Sequence, residues 1–188
     1  MVGIVVSYHS GSGHTRRLVE IFAEELAELG ADVHLVDVEA LGAADWEAMK
    51  RAQAHIFAAP TYMGSVSAPY KAFMDASSDI WGGPDGWQNK IAAGMTVATY
   101  PSGDKMSSLM QLAVFAAQHG MIWVGLEDIG APVEPDKAGI NEDGFSLGLG
   151  ACSVRDKSEM IRAGDVITAR RFAQRIYDAT ARWSRGAD

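Results

Sequence analysis

The chain has one cysteine, Cys152. An intrachain disulfide is therefore excluded, and a reducing compartment is expected. No apolar stretch approaches the roughly 20 residues of a membrane-spanning helix. The first apolar run, "MVGIVV", is short and has no basic region before it, so it reads as a strand and not as a leader. A cytoplasmic location without membrane insertion is expected. Basic residues are scarce: 16 Lys and Arg face 24 Asp and Glu, a net charge of −8. That balance argues against a general nucleic-acid binder, which needs cations to neutralise phosphates. It leaves room for one small basic or dipolar pocket. Repeats, low-complexity tracts and linkers are also lacking, so residues 1–188 read as a single domain, and no metal is expected.

What is present is an alternation of strands and helices. "GIVVS" (3–7) is β-branched and uninterrupted, as in a strand buried on both faces of a parallel sheet. From His14 to Leu29 the apolar positions Leu18, Phe22, Leu26 and Leu29 share a helical face, and Gly30 ends it. "ADVHLVDV" is a second strand. A short helix over 45–52 is expected to be capped by Asp45. "AHIFAAP" is a third strand that should end at Pro60. Ser67 and Pro69 open another helix. "GGPDGWQN" is a turn-rich loop. "KIAAGMTVATY" is strand four, "DKMSSLMQLAVFAAQHG" a helix, and "MIWVGL" strand five. Residues 126–153 read as a long structured loop, and 165–183 as the last helix. Five strands alternating with five helical patterns give an α/β chain. The expected fold is a flavodoxin-like three-layer sandwich with a five-stranded parallel sheet in the order 2-1-3-4-5.

In such a sheet ligands bind beyond the carboxyl ends of the strands. The loops leaving strands one, three and four are therefore the candidate site. The first contains Ser10, Gly11, Ser12, Gly13, His14 and Thr15. Its amides lead into a helix N-terminus, which favours an anion. No acid occurs before Glu20. The loop lacks the Gly-Lys-Ser/Thr ending of a Walker A motif and the G-x-G-x-x-G dinucleotide spacing. Alone it reads equally as a plain Gly/Ser turn; the partner loops tip it toward a phosphate cradle. The second loop is Pro60, Thr61, Tyr62, Met63, Gly64, Ser65 and Val66, suited to a flat heteroaromatic ring against backbone amides. The third is Thr99, Tyr100, Pro101, Ser102, Gly103 and Asp104, which could close the other side; its plain reading is a connection with Asp104 as helix cap. A phosphorelay receiver shares the topology, but it needs acids after strand one and an Asp ending strand three. Here Ser7-Tyr8-His9 and Ala59-Pro60 stand there.

"SYHSGSGHTRRL", "PTYMGSVSAPYKAFMDASSDIW" and "AAQHGMIWVG" together resemble the flavodoxin-like NAD(P)H:quinone oxidoreductases of the tryptophan-repressor-binding-protein type. The resemblance implies a noncovalent FMN, with its phosphate on Ser10–Thr15, its ring against Pro60–Val66 and further contacts from Thr99–Asp104. It implies NAD(P)H as donor, a quinone as small-molecule acceptor, and a homo-oligomer, dimer or tetramer. The family's active-site histidine matches His119. The tryptophan that reaches into a neighbour's pocket matches Trp81. Two departures stand out: Tyr62-Met63 replaces the usual Arg-Phe, and "YPSGDKM" replaces a glycine-rich third loop.

The activity so implied is a two-electron transfer from NAD(P)H through FMN to a quinone, with His119 orienting or protonating the acceptor. The plain reading of His119 is a histidine complementing a helix C-terminus. The alternatives are a flavodoxin-like one-electron carrier, an NADPH-dependent FMN reductase, and a regulatory module with an unused pocket. Trp87 is read with Trp81 as pocket or interface cover, or as local packing. Lys105 reads as a solvated lysine, the alternative being a contact with a nicotinamide phosphate, and Cys152 as a structural thiol.

Overall fold

β1 (Gly3–Tyr8) is buried on both faces because strands flank it and helices cover it. It pairs in parallel with β2 (Asp32–Asp37), Gly3 opposite Asp32, and with β3 (Ala54–Tyr62), Ile4 opposite Ala54. β5 (Ile91–Ala98) lies beside β3, with Ala54 opposite Ile91. The computed structural model describes residues 1–130 and 133–185. Its helices are α1 (His14–Glu28), α2 (Ala43–Arg51), α3 (Ala68–Ala76), α4 (Lys105–Gln118) and α5 (Ala163–Ser184).

Alternate residues of β3 feed two cores, as a strand's two-residue period requires. Ile56 and Ala58 pack with Leu18 and Phe22 of α1 and Phe172 of α5. Phe57 and Ala59 pack with Tyr70, Phe73, Leu112 and Phe115 from α3 and α4. Trp87, from the loop after α3, belongs to this second core and is fully buried. Burial of each such aromatic contributes about 1.5–3 kcal/mol.

Lane for lane the sheet has the expected order, with one change. The fifth lane is built from two pieces, β6 (Ile122–Trp123) and β7 (Leu149–Cys152), both parallel to β5. The stretch read as a loop over 126–153 therefore carries a core strand at its end. Between the pieces the chain leaves the sheet, and its stem is closed by Leu126 N–H donating to Ser146 O at 2.9 Å. The Trp123 indole N–H reaches Leu147 O at 2.7 Å. Small residues make the split possible. A Cβ on Gly94 would lie 2.7 Å from the Trp123 ring, and one on Gly148 only 2.4 Å from Gly94 O.

Lys105 fastens this excursion and is not solvated. It is fully buried, and its Nζ donates to Asp143 Oδ2 (2.8 Å), Gly150 O (3.1 Å), Ala151 O (3.3 Å) and Cys152 Sγ (3.2 Å). Arg162 holds the same carboxylate at 3.0 Å and Asp165 at 2.8 Å. Burial pushes the Cys152 thiol up in pKa, outweighing the lowering effect of the ammonium beside it.

Three local expectations are corrected. Pro60 does not end β3. The strand runs on to Tyr62, with Pro60 opposite Val97 in a parallel ladder where its missing N–H is tolerated. Asp45 is not the cap of α2. Gly42 is, and Asp45 sits three residues in, accepting the Gly42 N–H at 2.8 Å and bonding His34 Nε2 at 2.9 Å. Asp104 occupies the cap position of α4 in a left-handed conformation, and its side chain caps nothing.

His55 of β3 is completely buried against Trp87, with Nε2–H donating to Met49 O at 2.9 Å. Burial, then the nearby Lys90 charge, pushes its pKa down to about 3. The unfolded chain binds a proton near pH 6.5 that the folded one refuses. Stability is therefore full above pH 6.5 and falls as the pH drops toward 3. Urea unfolding of wild type and His55→Gln across pH 7 to 4 should show a weaker pH dependence in the variant. Parallel curves would contradict this.

Candidate functional site

The last ladder bond of β1 is His9 N–H to Ala58 O at 3.1 Å. The chain then turns into α1 through Gly13, whose φ of 90° suits glycine. Its N-cap, Gly13, has no side chain to cap the helix with. Ser10 Oγ accepts the Arg16 N–H at 3.0 Å, which draws the loop inward, and Arg17 N–H bonds Gly13 O at 2.9 Å. Among the described residues, the amides of positions 11 to 15 have no acceptor. Five neighbouring donors at a helix N-terminus form an anion cradle.

The second loop is a two-residue hairpin. Thr61 and Tyr62 pair antiparallel with Val66 and Ser65 of β4 (Ser65–Val66). Met63 (φ 49°) and Gly64 (φ 76°) form the turn, both left-handed as tight hairpins require. Behind the hairpin, Thr61 Oγ1 is 2.8 Å from both Thr96 Oγ1 and Ser108 Oγ. Ser65 Oγ–H donates to Gln111 Oε1 at 2.9 Å. β5 and α4 thus hold the hairpin from below. Tyr62 reaches back over the first loop: a Cβ on Gly11 would lie 2.6 Å from its hydroxyl.

The third loop bends at Gly103, with φ 50°. A Cβ there would meet Ala98 Cβ at 2.7 Å and Tyr100 O at 2.8 Å. Tyr100 is exposed. The three loops meet at the carboxyl edge of the sheet around a cleft of about 200 Å³. Ser10, Ser12, His14, Thr15, Pro60, Thr61, Tyr62 and Thr99 line it, together with Val97, Ala98 and Ser153. Those last three escaped the sequence reading. Ser153 follows β7, whose existence the sequence did not announce. No carboxylate lines the cleft.

His119 and Trp81 are elsewhere. α4 runs from the third loop to Gln118, so His119 lies at its far end, about 20 Å along the helix at 1.5 Å per residue. His119 is buried, and its Nε2–H donates to Ser77 Oγ at 2.9 Å, since that hydroxyl donates to Met74 O. Burial pushes its pKa below the ordinary value. Trp81 is exposed, with its indole N–H on Gln118 O at 2.6 Å. Both border a groove of about 1060 Å³ between α3 and α4, with exposed Met110 and Val114. The apolar residues of α4 are thus divided: Leu109, Leu112 and Ala116 are core, Met110 and Val114 line the groove, and Phe115 does both.

Residues 1–129 match the model of the NADPH-dependent FMN reductase family. The chain belongs to that family. It is a flavodoxin-like oxidoreductase of the FMN-binding kind. Flavodoxin FldP of Pseudomonas aeruginosa is 38% identical over 177 residues, 92% of this chain and 93% of that protein. An NAD(P)H dehydrogenase (quinone) of Archaeoglobus fulgidus is 28% identical over 148 residues, 67% of this chain and 77% of the relative. Among solved structures, a WrbA-like flavodoxin from Agrobacterium tumefaciens superposes with a TM-score of 0.74 at 36% identity, covering 97% of this chain and 99% of that one.

The residues of this family member fit FMN. The unpartnered amides 11 to 15 and the Ser12 and Thr15 hydroxyls form a set rich in donors, which a phosphate satisfies. Gly11 and Gly13 let Tyr62 and Met160 close on the loop, since a Cβ would lie 2.6 Å from the Tyr62 hydroxyl at the first and 2.9 Å from Met160 Cε at the second. Among the described residues, no cluster of side chains suits a metal ion, and no helix is long and apolar enough to cross a membrane.

Proposed function

We propose that the protein transfers two electrons from NAD(P)H to a quinone through a noncovalent FMN. The observation that supports this most is the acid-free cradle of unpartnered amides at residues 11 to 15, opening onto the hairpin at the same sheet edge. When bound, FMN supplies the electron chemistry between nicotinamide donor and quinone acceptor. The chain's part is binding, orientation and charge. Amides 11 to 15, with Ser10, Ser12 and Thr15, hold the phosphate. Thr61 to Val66 present backbone donors to the polar edge of the ring, and Thr99 to Asp104 border its other side. Such fixed donors stabilise developing negative charge without reorganising.

In this reading His119 and Trp81 serve the cleft of a second copy, because they sit at the opposite end of α4 from their own. His119, kept neutral by burial and with its Nε2–H committed to Ser77, would orient the acceptor there through Nδ1, which accepts a hydrogen bond from a hydroxyl of the reduced quinone. A homodimer or homotetramer joined over the α3–α4 groove follows from that assignment.

A second reading is favoured by a specific observation. Tyr62 and Tyr100 both stand exposed at the loops bordering the cleft, and flat aromatics beside a flavin suit a one-electron carrier. The relative named flavodoxin agrees with it. The deciding experiment loads the protein with FMN and follows anaerobic NADH and NADPH oxidation with and without benzoquinone. One quinone reduced per nucleotide supports the proposal. Tight FMN binding without nucleotide oxidation supports the carrier. Oxidation only when free FMN is added supports an FMN reductase. Failure to bind FMN removes all three.

A further inference from the structure

We propose that Arg155 and Lys157 form a site for the 2′-phosphate of NADPH, so that the protein selects NADPH over NADH. This rests on the nicotinamide-donor reading above and names the residues that would choose the donor.

The turn carrying these cations is clamped beside the cradle. Ser153, at its start, lines the cleft. Ser153 and Ile161 pair across the stem, Val154 N–H donates to Met160 O at 3.0 Å, and Met160 N–H to Asp156 O at 2.8 Å. At its end, the Met160 side chain packs against Gly13, its Cε 2.9 Å from where a Cβ would sit. Both ends of the turn thus touch the phosphate end of the site. Its tip lies two to four residues further out, within reach of a long side chain.

The charges on the tip are sorted. Asp156 is folded back, with Oδ1 accepting both the N–H (2.8 Å) and the hydroxyl (2.7 Å) of Ser158. Glu159 is exposed and pairs with neither cation. Arg155 and Lys157 are exposed and have no carboxylate partner among the described residues, whereas most lysines and arginines of this acidic chain do: Arg16 and Arg17 with Glu20, Lys50 with Asp85, Lys105 and Arg162 with Asp143, and Arg170, Arg171 and Arg175 with acids near by. Two cations without a carboxylate partner, held on a clamped turn beside a site that handles a phosphorylated nucleotide, are placed to receive a second anion. The cofactor phosphate is not that anion, because the cradle already supplies donors for it. A second dianion, gripped by a planar guanidinium and an ammonium, accounts for both.

The test titrates FMN-loaded wild type and Arg155→Gln/Lys157→Gln with adenosine 2′,5′-bisphosphate and adenosine 5′-monophosphate by calorimetry. It also compares kcat/KM for NADPH and NADH. Wild type should bind the bisphosphate at least about tenfold more tightly than the monophosphate, as charge-assisted bonds allow. The double variant should lose that margin, and its NADPH-to-NADH ratio should fall by a similar factor. FMN Kd and Tm, measured in parallel, report on folding and on the cradle. Bisphosphate affinity that survives the double variant overturns the site, whatever the turnover. Weakened FMN binding without selective loss of the bisphosphate assigns the cations to the cofactor and overturns it too. Absence of any nucleotide oxidation overturns the donor reading, and NADPH selection with it, whatever the titration shows.

Discussion

Replacing Lys105 with methionine is expected to cost about 3–5 kcal/mol of folding stability, read as a lower midpoint of urea unfolding at unchanged slope. The side chain is fully buried, and its partner Asp143 is nearly so, with 7% of its side chain exposed. Methionine fills most of the volume but removes the charge. Asp143 keeps Arg162 at 3.0 Å, which argues for the lower end of the range. The carbonyls of Gly150 and Ala151 lose a donor in a dry site as well. A loss below about 1 kcal/mol, the scale of an exposed pair, would show that the buried charge contributes little.

The same pair has a pH signature. Burial alone would raise the Asp143 carboxyl, but hydrogen bonds from Lys105, then Arg162, outweigh it and hold the pKa below the usual carboxylate value. A depressed carboxyl contributes stability that is fully present above about pH 4 and is lost as the pH falls through its folded value. Acid unfolding below pH 4 should therefore be less steep in Lys105→Met than in wild type. The functional link is positional. Lys105 is the residue after the third loop, and β7 ends beside Ser153 in the cleft, so loosening this anchor should also weaken FMN binding.

Lys105 shows where the sequence stops being legible. Read locally, a lysine at a helix start after "SGD" belongs in water. Its burial depends on Asp143, 38 residues away, and on carbonyls of a strand inside a Gly-rich stretch. Nothing in a local window announces such a contact. The fifth lane was half legible for a related reason: "MIWVG" has a strand's composition, but "LGAC" is four small or apolar residues without periodicity. Pro60 misled because proline usually ends a strand. Here a two-residue hairpin follows, and the ladder passes through the proline unharmed. The central strands β1, β3 and β5 were legible, since burial along nearly their whole length imposes continuous apolar runs that local reading detects, whereas the edge strand β2 is mostly exposed or half-buried. The three loops stood out by composition, being rich in small and hydroxyl-bearing residues; the first two carry no acid, and Asp104 at the end of the third does not line the cleft. What the loops rest on was not legible: the hydroxyl contact of Thr61 with Thr96 and Ser108 joins three elements and has no sequence spacing.

Ser12→Asp is the substitution with the largest expected effect on binding, a loss of FMN affinity of at least about a hundredfold from a carboxylate placed against a dianion. Fluorescence titration of FMN into the apoprotein reads it directly. Ser12 is exposed and caps nothing, so folding should be unaffected, and an unchanged Tm separates lost binding from lost structure. The control is Ser12→Ala, which removes one hydroxyl but leaves the amides of residues 11 to 15 in place; its loss should be near tenfold, the worth of one charge-assisted hydrogen bond. The ordering of the two variants tests the mechanism of the cradle itself. If backbone donors and the helix N-terminus carry the phosphate, the added charge must hurt far more than the missing hydroxyl, and the gap should narrow in high salt as the exposed carboxylate is screened. Equal losses would mean that side chains, not amides, make the site. No loss in Ser12→Asp would move the phosphate away from this loop altogether.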